Sequence, residues 1–309
     1  MIATITLNPS IDKLYVVDDI EIGKVMRVKF RKNSAGGKGL NVSRVAVLLR
    51  EPVVATGIIG GHTGRYFEEL AKMDKIQVDF VESPEETRCC INVRDLRSGR
   101  NTEFLESGST IDKSTLDLFT KKLEQILKKC QVVTISGSIP PGVPSDYYQG
   151  IIKLVKSQSK KVLLDTSGSA LKEGIKANPT LVKPNQEELT HIFGANIKSR
   201  DDVLNCARLL HNGGIEQVVV SMGANGVLVV NDEGTFVGIP PKIEAVNTVG
   251  CGDSLVAGFA VAYIRHLETT EGIRLAVTAA TANAMSLETG SFKEEDFKEL
   301  ITKVIVQRI

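Results

Sequence analysis

Asp253 stands in the string Asn247-Thr248-Val249-Gly250-Cys251-Gly252-Asp253-Ser254, which runs directly into a small, apolar stretch that predicts a helix. Two glycines let the backbone turn tightly enough to aim successive N–H groups inward. The helix N-terminus adds partial positive charge, so Gly250, Cys251 and Gly252 outline an anion cradle. A carboxylate repels phosphate, which makes Asp253 odd in a plain anion site. It makes sense as the acceptor of a proton from a hydroxyl that attacks phosphorus, although at a helix start it is expected to be a weak base. The same string also reads as an ordinary glycine loop with Asp253 as a helix cap.

Three further constellations could serve such chemistry. Ala35-Gly36-Gly37-Lys38-Gly39-Leu40-Asn41 is a glycine-rich turn entering a helix. It is not a Walker A loop, because Gly39 follows Lys38 where Ser or Thr is required. Its glycines let a ligand lie against bare backbone, and Asn41 offers a donor and an acceptor to a polyol. Upstream, Asn8-Pro9-Ser10-Ile11-Asp12 leaves the first apolar run with a carboxylate able to bind adjacent hydroxyls. Lys183-Pro184-Asn185-Gln186-Glu187-Glu188 follows an apolar strand, at the mouth of an open sheet, where ligands bind. Asn185 and Glu188 there suit Mg²⁺ held largely through water, or simply cap a helix. Ser221-Met222-Gly223-Ala224-Asn225-Gly226 joins two strands, as a hairpin turn or as a loop that accepts nucleotide phosphates.

The elements that must position these residues are legible as alternation. Short β-branched runs (Ile2–Leu7, Val53–Ile59, Val132–Ser136, Val162–Asp165, Leu181–Lys183, Val218–Ser221, Val227–Val230) alternate with longer amphipathic segments. The helices expected are Asn41–Arg50, Thr63–Met73, Ser114–Lys129, Asp146–Lys156, Asp201–His211, Ser254–His266 and Glu271–Leu287. This is an α/β pattern with a mostly parallel sheet covered on both faces, in a single domain spanning residues 1–309. Two regions, about 12–34 and 87–107, instead show strand-like alternation with no helix between the strands. Val25–Phe30 sets Met26, Val28 and Phe30 against Arg27 and Lys29, and Arg88–Arg94 sets Cys89, Ile91 and Val93 against Arg88, Asn92 and Arg94. Such strands predict a small projecting sheet that lids the site. Its apolar face needs cover, which a second copy of the lid supplies in a homodimer.

Composition narrows the function. Lys plus Arg number 38 against 37 Asp plus Glu, so no basic field exists to gather nucleic acid or anionic lipid. The most apolar stretch, Leu255–Ile264, is too short to span a bilayer, and no secretory signal is visible, so a cytoplasmic protein is expected. The five cysteines include no C-x-x-C pair, as expected of reduced thiols rather than a zinc site or disulfide frame.

With these constellations in this order, the sequence resembles the ribokinase-like carbohydrate kinases of the phosphofructokinase B family. AGGKGLNVSR and NTVGCGDSLVAGF look like its two signatures, and ISGSIPPG, LLDTSG, LVKPNQEEL and VVVSMGANG extend the likeness along the whole chain. TLNPSID and Glu86-Thr87-Arg88 are most similar to the ketohexose-phosphate kinases of that family. The resemblance implies a three-layer α/β/α fold and ATP- and Mg²⁺-dependent phosphorylation of a ketohexose monophosphate, fructose 1-phosphate before tagatose 6-phosphate. A kinase for a free sugar or nucleoside, or a non-catalytic sugar-phosphate sensor, are the competing readings. The resemblance also implies roles: Asp253 as catalytic base, with Gly250, Cys251 and Gly252 as the anion hole. Asp12, Gly36, Gly37 and Asn41 hold the sugar, and Arg27, Lys38, Arg88 and Ser138 hold its phosphate. Lys183, Asn185 and Glu188 serve Mg–ATP, and Ser221, Gly223, Gly226 and Asn283 line the nucleotide pocket. Cys251 stands where Ala or Ser is commoner, which implies mild thiol sensitivity. Asn247 stands where the ribokinase branch has an Asp at a monovalent-cation site, so no requirement for K⁺ is expected.

Overall fold

The computed structural model describes every residue except Ala195. From one edge, the main sheet runs Gln77–Val78, Val53–Gly60, Ile2–Thr6, Val132–Ser136, Lys161–Asp165, Leu181–Val182 and Gln217–Ser221, all parallel. Three antiparallel strands then extend it: Val227–Asn231, Gly234–Ile239 and Ile305–Arg308. Val81–Ser83 pairs with the end of Val53–Gly60.

The central strands are apolar on both faces because helices cover both. Ile2, Val132 and Leu163 feed one core, against the helices Lys38–Leu48, Gly61–Met73, Cys251–Ile264 and Thr269–Ala284. Their neighbours Ala3, Val133 and Leu164 feed the other, against Lys113–Leu127, Tyr147–Ser157 and Arg200–Asn212. This alternation is the period of two that strand geometry imposes. The strands and helices expected for these layers form, with ends moved by a few residues. The short helices Gly168–Ile175, Gln186–Phe193 and Glu294–Leu300 and the last two strands had no periodicity long enough to read.

The apolar stretch after Asp253 is a helix buried on nearly every side. It lies so close to Thr269–Ala284 that a Cβ added at Gly258 would come 2.3 Å from the Ala276 Cα. Among the described residues no helix is long and apolar enough to cross a membrane.

A second sheet of four strands projects from the C-terminal end of the first. Ser10–Val17 is its centre, antiparallel to Phe30–Gly36 and parallel to Arg88–Asp95, and Asn101–Leu105 closes the edge. One expectation needs correction: Val25–Phe30 is not a strand. Residues 25–29 are irregular and only Phe30 begins pairing, since alternation without a partner strand gives the backbone no ladder to join. Arg27 therefore sits in an exposed loop. Phe30, Phe104 and Leu105 on this sheet are 54%, 60% and 65% exposed.

The Gly258 approach yields a stability test. Gly258→Ala places a methyl against backbone that cannot rotate away, and the urea midpoint should fall by the equivalent of about 2 kcal/mol. An unchanged midpoint would contradict the close packing of the two helices.

Candidate active site

A cleft of about 1260 Å³ opens between the C-terminal ends of the parallel strands and the projecting sheet. Parallel strands end here and helices begin here, so side chains at strand ends meet helix N-termini. Asp12, Gly37, Lys38, Asn41, Arg88 and Ser138 line it, as do Lys183, Asn185, Glu188, Ser221, Gly250, Gly252 and Asp253.

Gly250 adopts φ +82°, the left-handed conformation that opens the helix Cys251–Ile264 and sets Asp253 in its first turn. Asn41 Nδ2 donates to Asp253 Oδ2 at 2.7 Å. Asp253 is 5% exposed, and burial pushes its carboxyl up to about 6. Lys38, Lys183 and the Asn41 amide oppose that shift, and the Asp165 charge reinforces it. Asp253 is thus a stronger base than a helix start alone would make it. It remains largely ionised at neutral pH.

Asp165, the last residue of its strand, is wholly buried and receives two ammonium groups on one oxygen, Lys183 at 3.2 Å and Lys38 at 3.5 Å. Burial opposes its ionisation, but the two lysines, Lys183 foremost, together hold its carboxyl below the ordinary range. Asp165 in turn raises the Lys38 pKa, against desolvation. Its Oδ2 has no hydrogen-bond partner among the described residues. The sequence reading assigned this residue nothing, although a carboxylate ending a buried strand beside Lys183 is a usable signal.

Arg88 is anchored rather than free: Nη1 donates to the Glu106 carbonyl at 2.7 Å and Nη2 to that of Asn8 at 2.9 Å, while its buried Nε has no partner among the described residues. Its neighbour Glu86 accepts from the N–H groups of His62 and Thr63 at 2.9 Å and from the Thr63 hydroxyl, bonds that lower its pKa to about 2. The Glu-Thr-Arg run therefore clips the lid strand to the helix Gly61–Met73 and fixes where Arg88 begins. Ser138 Oγ accepts from Asn8 Nδ2 at 3.3 Å. Asp12 accepts from Ser10 Oγ at 2.6 Å, and burial, the largest influence, raises its pKa despite Arg44 and Arg88 nearby.

Asn185 and Glu188 form a reciprocal capping box at the start of Gln186–Phe193, each side chain accepting the other's N–H at 2.8 Å. The cap uses one oxygen of each. Among the described residues no group of three or more His, Cys, Asp or Glu could hold a metal.

Six expected residues lie outside the cleft lining: Arg27, Gly36, Gly223, Gly226, Cys251 and Asn283. Arg27 is on the exposed loop, and Gly223 and Gly226 build a tight turn between the antiparallel strands Gln217–Ser221 and Val227–Asn231. Asn283 is fully buried, and its amide ties two loops together: Nδ2 donates to the Val249 carbonyl at 2.9 Å, and Oδ1 accepts from Gly290 N at 2.7 Å. Gly36 leaves room for Asp12, whose carboxyl carbon would lie 2.1 Å from an added Cβ. Cys251 is adjacent to the cradle but not in the lining. Burial raises its thiol pKa, which makes the expected thiol sensitivity weaker than its position suggests. Asn247 Nδ2 donates to the Leu287 carbonyl at 3.2 Å.

Comparison with known proteins agrees with this geometry. A family model described as pfkB family carbohydrate kinase matches residues 5–296. The chain is 37% identical to 1-phosphofructokinase of Bacillus subtilis over the whole of both chains. It is 36% identical to tagatose-6-phosphate kinase of Staphylococcus epidermidis over 99% of each. The crystal structure of phosphofructokinase-2 from Escherichia coli in complex with potassium superposes with a TM-score of 0.91 at 29% identity, covering 98% of each chain. Ribokinase from Arabidopsis thaliana shares the fold at a TM-score of 0.80 and 19% identity, with 97% of this chain and 98% of that one covered. The layered sheet with its projecting second sheet is accordingly the fold shared with these solved structures, and the chain belongs to the pfkB family of carbohydrate kinases.

Proposed function

We propose that this enzyme transfers the γ-phosphoryl group of ATP to a primary hydroxyl of a ketohexose monophosphate, with fructose 1-phosphate favoured over tagatose 6-phosphate. One observation carries the reading. A buried carboxylate with a pKa raised to about 6, Asp253, shares a cleft with two lysines and an anchored arginine, so a proton acceptor and an anion clamp face one volume. The 1-phosphofructokinase and tagatose-6-phosphate kinase relatives support a phosphorylated sugar substrate.

In this reading Asp253 takes the proton of the attacking hydroxyl, and the N–H groups of Gly250 to Gly252 face the charge that develops on the transferred group. Asp12 and Asn41 orient the ring hydroxyls. Lys38, Ser138 and the free Nε of Arg88 receive the phosphate already on the sugar. Lys183 faces the nucleotide phosphates, and Ser221 lines the nucleotide side. Mg²⁺ bound with ATP would supply the charge that neutralises its phosphates. The oxygens that Asn185 and Glu188 present suit an ion that keeps most of its water, since no cage of three or more acidic, His or Cys ligands exists among the described residues. A cytosolic location fits this reading, since ATP is its phosphoryl donor.

The exposed Phe30 and Leu105, which the strand register sets on one face of the lid, support pairing of two lids in a homodimer. Arg27 would enter a site only from such a neighbour.

Coupled ADP release should rank fructose 1-phosphate first by kcat/KM, then tagatose 6-phosphate, then fructose 6-phosphate, with free fructose far behind. Equal use of free fructose would overturn the phosphate clamp. Asp253→Asn should lower kcat by about 10² to 10⁴-fold with ATP binding retained, and retained activity would remove it from the role. Arg88→Met should raise KM for the sugar phosphate about tenfold or more and leave KM for ATP unchanged. Sedimentation should show a dimer that Phe30→Asp combined with Leu105→Asp converts to monomer. A monomeric parent would refute the lid pairing.

A further inference from the structure

We propose that Arg44 is a positioning residue that fixes which end of the Asn41 amide meets Asp253. The inference rests on Asp253 being the catalytic base. An asparagine amide has a donating and an accepting end of nearly equal shape, and only the donating end suits a carboxylate. Asn41 and Arg44 are three residues apart on the helix Lys38–Leu48, so their side chains share a face. Arg44 Nη1 donates to Asn41 Oδ1 at 2.7 Å, which commits that oxygen and turns Nδ2 toward Asp253 Oδ2, also at 2.7 Å. Flipping the amide would set oxygen against carboxylate and NH₂ against guanidinium, losing both bonds and adding two repulsions.

Arg44 is itself held on its other donors. Nε donates to Asp74 Oδ2 at 2.6 Å and Nη2 to the Ala35 carbonyl, and the side chain is only 11% exposed. The chain Asp74–Arg44–Asn41–Asp253 thus runs from the surface to the base through directed bonds. A lysine could supply the charge but not the fork that bonds three oxygens at once. The charged groups facing Asp253 are Lys38 from the same helix as Asn41, and Asp165 and Lys183 from two strand ends; the Cys251 thiol lies on its own helix. Arg44 also faces Asp12 and Asp74. Among these, the Asn41 amide supplies the side-chain hydrogen bond to Asp253.

The test is the pH dependence of kcat together with a double-mutant cycle. The parent should lose activity on acidification with a midpoint near the Asp253 value of about 6. In Arg44→Met the amide is free to turn. Its kcat should fall about tenfold, and the midpoint should move up by about half a unit or more, because a donor to the ionised form is lost. KM for ATP should stay within about twofold. Placed in an Asn41→Leu background, the same substitution should cost nothing further, since its effect passes through Asn41. Arg44→Lys should recover little. Asp74→Asn, which loosens the anchor at a partly exposed position, should shift the midpoint in the same direction by less, and it decides the matter if Arg44→Met does not fold. An unmoved midpoint in the folded variants, or an equal loss in the Asn41→Leu background, would overturn the proposal. Failure of the base assignment would show separately, as activity retained by Asp253→Asn.

Discussion

The active cleft depends on an electrostatic balance among four buried or half-buried groups at adjacent chain ends: Asp165, Asp253, Lys38 and Lys183. Taking a carboxylate out of water costs several kcal/mol unless opposite charge is supplied at close range. Asp165 receives both ammonium groups and stays ionised. Asp253 has the Asn41 amide but no ion pair among the described residues, and burial beside a second carboxylate leaves it poised near neutrality. One acid holds the two cations of the cleft, and the other is left basic enough to take a proton. The difference comes from where each partner sits, not from residue type.

The rest of the architecture keeps those groups in register. The strands Lys161–Asp165 and Leu181–Val182 are neighbours, so Asp165 and Lys183 leave the sheet side by side. The helices bearing Lys38 and Asp253 pack over the same face of the sheet, which brings their first turns together across the strand ends. The lid sheet is clipped to the body by Glu86, and its Arg88 is oriented by two backbone carbonyls. Glycines at contact points, such as Gly36 against Asp12 and Gly258 against Ala276, let these elements approach more closely than any side chain would allow.

Much of this was readable before the fold was known. The alternation of apolar runs with amphipathic segments exposed the layered sheet, and the glycine strings marked where helices begin at the cleft. Asp12, Lys38, Asn41, Arg88 and Asp253, which the family resemblance grouped, all line one cleft. Composition could not reveal burial, which is why Asp253 was expected to be a weaker base than it is. It could not reveal which polar side chains serve the backbone either: Asn283 ties two loops together, and Asn185 with Glu188 caps a helix. Asp165 and Arg44 were passed over because each acts through a neighbour that becomes adjacent only on folding or on one helix face. Val25–Phe30 alternated like a strand but found no partner, since pairing is a property of the sheet rather than of the segment.

The central claim is that Asp253 owes its basicity to burial beside Asp165. Its most direct test is a carboxyl-carbon NMR titration of Asp253 in the enzyme without substrates, alongside the Asp165→Asn variant. The account predicts a transition near about 6 in the parent that moves to lower pH once the neighbouring charge is removed. A parent value in the ordinary carboxylate range, or no response to Asp165→Asn, would contradict it.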